Sequence, residues 1–577
     1  MSEKLRKRFF GPAILLVLVA LIASCGPAGT PVPGETPQVI EKPVVQTVVV
    51  EKEKVVEKPV VQTVIVQPTT EAVGWSDRTF VIANYVHPKE IDPMGPGVST
   101  TDIFIKQTLY ETLVEYDPNT GQLVGVLATD WQASPDAKVY TFKLREGVKF
   151  HDGSLLTAEA VKLSFERAID QGFTKGSYLR DVDTVEAVDD LTVRVNLKEP
   201  SPIFMGNIPD IYIASADALK AHFKDDWFLT HEAGSSAYML KSFEPGGELI
   251  QFDPFPDYWR GWGRDGFLTT LPQGAKHLGR IESRNVPEPA TARLLAESGE
   301  VHALPWYPIS YFSELRYNPV IKSTTAPSYR VSLLPLNVAH GPLKDIRLRQ
   351  MLQYAFPYDA YLQYYAGFAE PAVGPITPRF LSCPGLKPYT QDLEKAKALL
   401  AEAGYKPGEL TLSYIWPTGG GEEQKQPGIL LQDALRQIGV NLTVETIPWA
   451  NIVERVAAGA DKTPDIMTLI NAPKSTDPGA AFLLQFYHSS NAGKTYNWGR
   501  YINPEFDKLL DEAMATPDQT KRYEMYCKAQ DMVLADATHV YLAYPPFFLA
   551  LNTDVGGFWM DPIGVQYFPW YDMYWTK

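Results

Sequence analysis

Past residue 76 the hydrophobic and polar positions fall into blocks whose period switches between two and about 3.6, and each block predicts an element. Leu191, Val193, Val195 and Leu197 alternate with Thr192, Arg194, Asn196 and Lys198, the pattern of a half-buried strand. "VYTFKLREGV", from Val139, alternates through Tyr140, Phe142 and Leu144. Thr157 then stands where it can cap a helix with a buried stripe at Val161, Phe165 and Ile169. A second helix, Asp392 to Ala403, has its stripe at Leu393, Ala396 and Leu400 and stops at Gly404. After it, "ELTLSYIW" reads as a strand, Gly419 to Gly421 as a loop and Ile429 to Ile438 as a helix; "VNLTVETI" is a strand, Trp449 to Ala458 a helix and "PDIMTLIN" a third strand. Such alternation builds a parallel sheet with right-handed crossovers. Ligands of open α/β sheets bind beyond the carboxyl ends of the strands, which nominates Trp416 and the loop Asn471 to Asp477.

The first 75 residues follow a different logic. Lys4, Arg6, Lys7 and Arg8 precede an apolar run from Gly11 to Ala23, shorter than the ~20 residues of a membrane-spanning helix, so the segment reads as a secretory signal peptide. Ile22-Ala23-Ser24-Cys25 resembles a bacterial lipobox, which makes residues 1–24 a lipoprotein signal and Cys25 the acylated first residue of the mature chain. From 26 to 74 there is no Phe, Trp or Tyr, and "EKPVVQTVVVEKEKVV" is followed by "EKPVVQTVIV". A segment this poor in aromatics cannot bury enough surface to offset chain entropy, so residues 25–75 read as a disordered, repeat-containing tether with a reach of about 40 Å. A short oligomerisation stalk is the competing reading.

The remaining ~500 residues exceed what one hydrophobic core serves, so two or more lobes are expected. The formal charge is -15, and removing residues 1–24, with four basic groups and one acidic, deepens it to -18. A nucleic-acid binder would show the opposite sign. With Cys25 acylated, Cys383 and Cys527 remain; an oxidising compartment permits their pairing, and sequence separation leaves the question open. The nine histidines form no metal-binding pair, and there is no C-x-x-C, nucleophile elbow or phosphate loop. "FHDG", at 150–153, reads as a turn between strand and helix cap. No catalytic residue, cofactor or metal is expected.

The stretch "LATDWQASPDAKVYTFKLREGVKFHDGSLLTAEAVKLSFERAID", residues 127–170, resembles the signature region of the family 5 extracellular solute-binding proteins, the peptide and nickel receptors of ABC importers. "SAYMLKSFEPGGELIQFDPFPDYWRG", "PLKDIRLRQMLQYAF", "DLEKAKALLAEAGY" and "NPEFDKLLDEA" continue the resemblance in family order. It implies an α/β, two-lobed periplasmic-binding-protein-like fold of the large type II class, with an extra domain inserted in lobe one. Lobe one would comprise 76–116, 190–328 and 546–577, the inserted domain 117–189 and lobe two 329–545. With the signal segment and Cys25, the expectation is an extracytoplasmic, monomeric receptor, lipid-anchored to the outer face of the cell membrane. Its partners would be an ABC permease and ATPase complex and a small-molecule or peptide solute, with no nucleic acid.

Peptide receptors of the family hold the ligand's ammonium with an aspartate four residues before the Pro of a loop that here reads "INAPKSTDP", where the slot is Lys474. A cation there repels an amino terminus, so either Asp477 takes the role or the ligand is not held by its amine. Trp416, Trp449 and Trp498, with the adjacent Asn497, in lobe two and Tyr85 and Tyr110 in lobe one are candidate platforms for a ligand, including a sugar. Three functions follow: a receptor for oligopeptides, the same fold carrying an oligosaccharide or another non-peptide solute, and a secreted enzyme or sensor.

Overall fold

The computed structural model of the chain describes residues 73–577, apart from 86, 96–99, 118–119, 121, 174–175, 177, 306, 327, 419–420, 473–474, 476, 495 and 561–567. Cys25, the signal and the tether therefore lie outside the described residues, and so does Lys474.

Phe80–Asn84 is buried at all five positions, as a strand covered on both faces must be. It lies inside a seven-stranded sheet with the order Tyr238–Ser242, Leu249–Pro254, Ile281–Asn285, Phe80–Asn84, Ala303–Pro305, Phe547–Asn552, Ile321–Ala326. Its two neighbours run parallel to it. The sixth strand comes from the far end of the chain and runs antiparallel to the strands on either side of it.

A four-stranded antiparallel sheet, Ala128–Ala133, Val139–Leu144, Thr192–Leu197 and Val182–Asp189, packs with the helix Ala158–Gln171. Tyr140, Phe142, Leu144, Val193, Val195 and Leu197 all face its core, as their alternation predicts. Thr157 occupies the N-cap, but its side chain makes no capping hydrogen bond. The helix stripe is also corrected: Val161, Phe165 and Ala168 are buried, whereas Ile169 is 39% exposed. Successive steps of four residues drift about 40° round a helix of 3.6 residues per turn, and two such steps carry Ile169 off the buried face. "FHDG" is a turn, and His151 in it forms a buried ion pair with Glu232 at 2.8 Å.

The predicted parallel sheet is present as Asn441–Ile447, Thr411–Pro417 and Ile466–Met467. Its third strand is shorter than "PDIMTLIN" suggests. After two residues the chain leaves it, and Leu469–Asn471 joins a neighbouring four-stranded sheet beside Val331–Pro335, His539–Tyr544 and Glu370–Pro371. The helix between the first two strands spans Gly421–Gln437 and starts about two turns before the expected Ile429. Its polar opening, Glu422 to Lys425, hides the apolar period. The helix Leu393–Glu402 is capped by the Asp392 side chain, which accepts from Lys395 N–H at 2.9 Å.

Two short segments carry the chain between the seven-stranded and four-stranded sheets: Ala326 to Val331, and Tyr544 to Phe547. They are hydrogen-bonded to one another where they cross. Ser328 Oγ donates to Pro545 O at 2.5 Å, and the Arg330 guanidinium donates to Pro546 O and ion-pairs with Glu423 at 2.9 Å. Cys383 and Cys527 form a disulfide, resolving the question the sequence leaves open.

Candidate functional site

Helix Ala158–Gln171 ends at Gly172, which takes a left-handed conformation with φ of 65° and turns the chain toward Phe173 and Tyr178. These side chains, with Ile203 and Phe204 from the segment after Thr192–Leu197, form one wall of a cavity of about 680 Å3. Phe204 is held by Tyr140, whose ring lies 4.8 Å away and whose hydroxyl donates to Ser201 O at 2.7 Å.

The opposite wall belongs to the part of the chain that carries the parallel sheet. Trp449 starts the helix that follows Asn441–Ile447, and its ring lies 5.0 Å from that of Trp498 at an interplanar angle of 56°. Tyr496 completes the group 6.0 Å from Trp498. Asn497, between them in sequence, points inward: its amide donates to the carbonyls of His488 and Tyr501, and its Oδ1 accepts from Tyr501 N–H. It shapes the loop that presents Tyr496 and Trp498.

Asp477 has a comparable inward task. It sits at the start of a π-helical turn, Gly479–Leu484, of which Ala480 and Leu484 border the cavity. Asp477 Oδ1 accepts from Ala480 N–H at 3.0 Å and from Tyr526 OH at 2.7 Å, and Oδ2 accepts from Arg522 Nε at 3.2 Å. Burial pushes its carboxyl above the ordinary range, while Tyr526, the backbone N–H groups and Arg522 pull the other way. The carboxylate is already committed, so the expectation that it receives a ligand's ammonium is corrected. Gly479 is needed where it stands, because a Cβ there would meet the Tyr526 ring at 2.3 Å. Cys527 follows Tyr526 directly, so the disulfide anchors the helix that holds Asp477.

The structure thus brings Trp449 and Trp498 to one cavity and puts Asn497 and Asp477 behind its surface. Tyr110 is a core side chain, 2% exposed and packed on Tyr212, which corrects its reading as a platform. Trp416 packs half-buried on a hydrophobic core and does not border this cavity. Tyr85, half-buried beyond the end of Phe80–Asn84, does not border it either. Sequence reasoning missed Phe173, Tyr178, Tyr496 and Phe204. A helix-ending glycine followed by Phe and Tyr within six residues was the available signal.

Charge is kept to the rim. Arg180, Asp181, Glu199 and Asp511 are each more than half exposed, and the three carboxylates lie 3.3 to 3.7 Å from Arg180, Lys138 and His488. The inner lining, among the described residues, is aromatic, aliphatic or uncharged polar. Burial lifts the Tyr178 hydroxyl pKa well above its usual value, with Asp210 and Tyr496 adding to the effect. Tyr178 and Tyr496 both line the cavity, from two separate parts of the chain. The described residues hold no cluster suited to a metal ion.

Residues 122–494 match the family described as bacterial extracellular solute-binding proteins, family 5. The chain belongs to that family. Among similar family 5 proteins is a probable D,D-dipeptide-binding periplasmic protein, DdpA of Escherichia coli K12, 30% identical over 500 residues, with 85% of this chain and 92% of the relative covered. The glutathione-binding protein GsiB of Pectobacterium atrosepticum is 28% identical, with 85% and 93% covered. A solved structure, the periplasmic binding protein DppA of Helicobacter pylori in complex with the peptide STSA, superposes with a TM-score of 0.73 at 26% identity, covering 87% of this chain and 98% of that one. The fold is therefore the two-lobed type II binding-protein fold of family 5. No helix among the described residues is long and apolar enough to cross a membrane.

Proposed function

We propose that this chain is the solute-capturing lipoprotein of an ABC importer, anchored through Cys25, and that it encloses an oligopeptide between its lobes for delivery to a membrane permease. The observation that carries this reading is the cavity, with aromatic walls supplied by two separate parts of the chain. Relatives that bind dipeptides and glutathione, and a structural neighbour holding a tetrapeptide, support the choice of cargo. The protein binds without turning over its cargo. We place lobe one at 76–116, 190–328 and 546–577, the inserted domain at 117–189 and lobe two at 329–545. The two crossing segments at 326–331 and 544–547 support this division and are the natural hinge.

Closure removes cargo from water and strengthens each polar contact. Driving an equilibrium from 1:99 to 99:1 requires about 5.5 kcal/mol of differential affinity, and micromolar binding releases about 8 kcal/mol.

A second reading, an oligosaccharide cargo, is favoured by the paired indoles of Trp449 and Trp498 and by the commitment of Asp477 to Arg522 and Tyr526. Calorimetry with a pool of di- to pentapeptides and with cello- and xylo-oligosaccharides separates the two. Saturable heat with peptides supports the first, and heat with sugars alone replaces it by the second. Palmitate labelling that disappears in Cys25→Ala, together with release of the protein from membranes, tests the anchor.

A further inference from the structure

A second opening, sharing no lining residue with the aromatic cavity, follows the strand Ile321–Ala326 and encloses about 640 Å3. Lys322, Ser323, Thr324 and Thr325 border it in unbroken succession. Side chains alternate between the two faces of a strand, so four consecutive residues meet one opening when it runs along the strand's edge. Ile321–Ala326 is indeed the last strand of the seven-stranded sheet, paired on one side with Phe547–Asn552 and, among the described residues, with no strand on the other.

The chemistry of this edge is one-sided. Its charged lining is Arg316 and Lys322, and among the described residues neither forms an ion pair and no carboxylate borders the opening. The chain as a whole has 68 acidic and 53 basic side chains, so an acid-free basic patch runs against the general charge. Phe312 and Phe548, both nearly buried, and Phe368, 37% exposed, supply an apolar floor. Phe368 belongs to the turn that precedes Glu370–Pro371 of the four-stranded sheet, across the crossing segments from the strand.

We propose that this edge accepts an extended acidic segment of a partner protein as an added strand. Backbone groups of the segment continue the ladder beyond Ile321–Ala326, its carboxylates meet Arg316 and Lys322, and its apolar side chains rest on the Phe368 ring. A six-residue strand spans about 20 Å, which suits an extended peptide better than a compact anion. Charge also argues against a second copy of this chain, because pairing two such edges would bring like-charged Lys322 and Arg316 side chains together.

The test uses the full mature chain and a fluorescein-labelled, end-capped hexapeptide of alternating valine and glutamate. Saturable anisotropy is expected, at least tenfold weaker for the Arg316→Glu, Lys322→Glu double variant and weakening with added salt. Slowed amide hydrogen exchange confined to residues 321–326 is expected to accompany it, which a purely electrostatic contact would not produce. Both altered side chains are exposed, and an unchanged melting temperature verifies the fold of the variant. Equal binding of a matching hexapeptide with lysine in place of glutamate, absence of saturation at millimolar concentration, or unchanged exchange at 321–326 would each overturn the proposal. A concentration-dependent dimer that the double variant abolishes would do so in favour of self-association.

Discussion

The two walls of the aromatic cavity are built to different standards of rigidity. The wall carrying Trp449, Tyr496 and Trp498 is held by the buried Asp477–Arg522–Tyr526 group, by three hydrogen bonds from Asn497 and by a disulfide one residue beyond Tyr526. The wall carrying Phe173 and Tyr178 lies beyond the left-handed Gly172 that ends its helix. Phe173 is 45% exposed, and the Asn207 amide reaches the Tyr178 carbonyl at only 3.4 Å. A pre-organised wall spends its ordering entropy during folding, whereas an adjustable one spends it on binding. On the proposed function, one wall sets where cargo lies and the other adapts to its size.

The largest effect should come from breaking the pre-organised wall at its buried charge. Arg522→Leu leaves the Asp477 carboxylate without its cation, and urea unfolding should show a loss of about 3–5 kcal/mol, with cargo affinity falling in parallel. A loss below about 1 kcal/mol would mean that the ion pair does not hold the wall. Removing the disulfide in a Cys383→Ser, Cys527→Ser protein should cost about 2–4 kcal/mol by the same measurement, because the bridge closes a long loop across 144 residues. No comparable stability change is expected from Phe173→Ala.

Acid should separate the walls by sign. Behind the rigid wall, burial pulls the His539 pKa down to about 3, so the folded state holds this imidazole neutral while the unfolded chain takes a proton below about 6.5. Stability is then lost as pH falls from about 6.5 toward 3, by about 1.4 kcal/mol per pH unit. Beneath the other wall's domain, burial pulls His151 down too, but Glu232 outweighs it and the net pKa is raised. That contribution is fully present below about 6.5 and is lost as pH rises through the raised folded value. Hydrogen exchange at pH 5.5 against 7.5 should show His539–Tyr544 losing protection and Val139–Leu144 keeping it. Equal losses would remove the distinction. The smallest effects on stability belong to the lining itself: Trp449, 40% exposed, should lose at least tenfold in cargo affinity on replacement by alanine with less than about 1 kcal/mol of stability. Tyr178→Phe should change affinity less than threefold if that wall adapts.

Much of this frame was legible in the residues because period-two and 3.6 patterns report local burial directly. The strands at 139 and 192, the helices at 393 and 449 and the parallel sheet follow from them. What pattern does not carry is where a chain changes sheets. "PDIMTLIN" reads as one strand, yet its halves pair with different partners, and only long-range packing decides that. The same holds at the site. Trp449 and Trp498 were found because indoles stand out, whereas Asp477 and Asn497 looked equally available to a ligand until their inward partners, Arg522, Tyr526 and Tyr501, came from 45, 49 and four residues away. Phe204 carries no local mark that distinguishes a lining aromatic from a core one, and the only local sign of Tyr178 is the helix-ending Gly172 before it.

The strand Phe547–Asn552 has a consequence for how the molecule is made. It sits between Ala303–Pro305 and Ile321–Ala326, so the sheet begun by Phe80–Asn84 stays open until synthesis has passed residue 552. Contacts between residues this far apart make folding slow and leave intermediate states with exposed edges. A ribosome-bound or C-terminally truncated chain ending before residue 547 would keep the sheet incomplete and leave its strand edges accessible to holding chaperones.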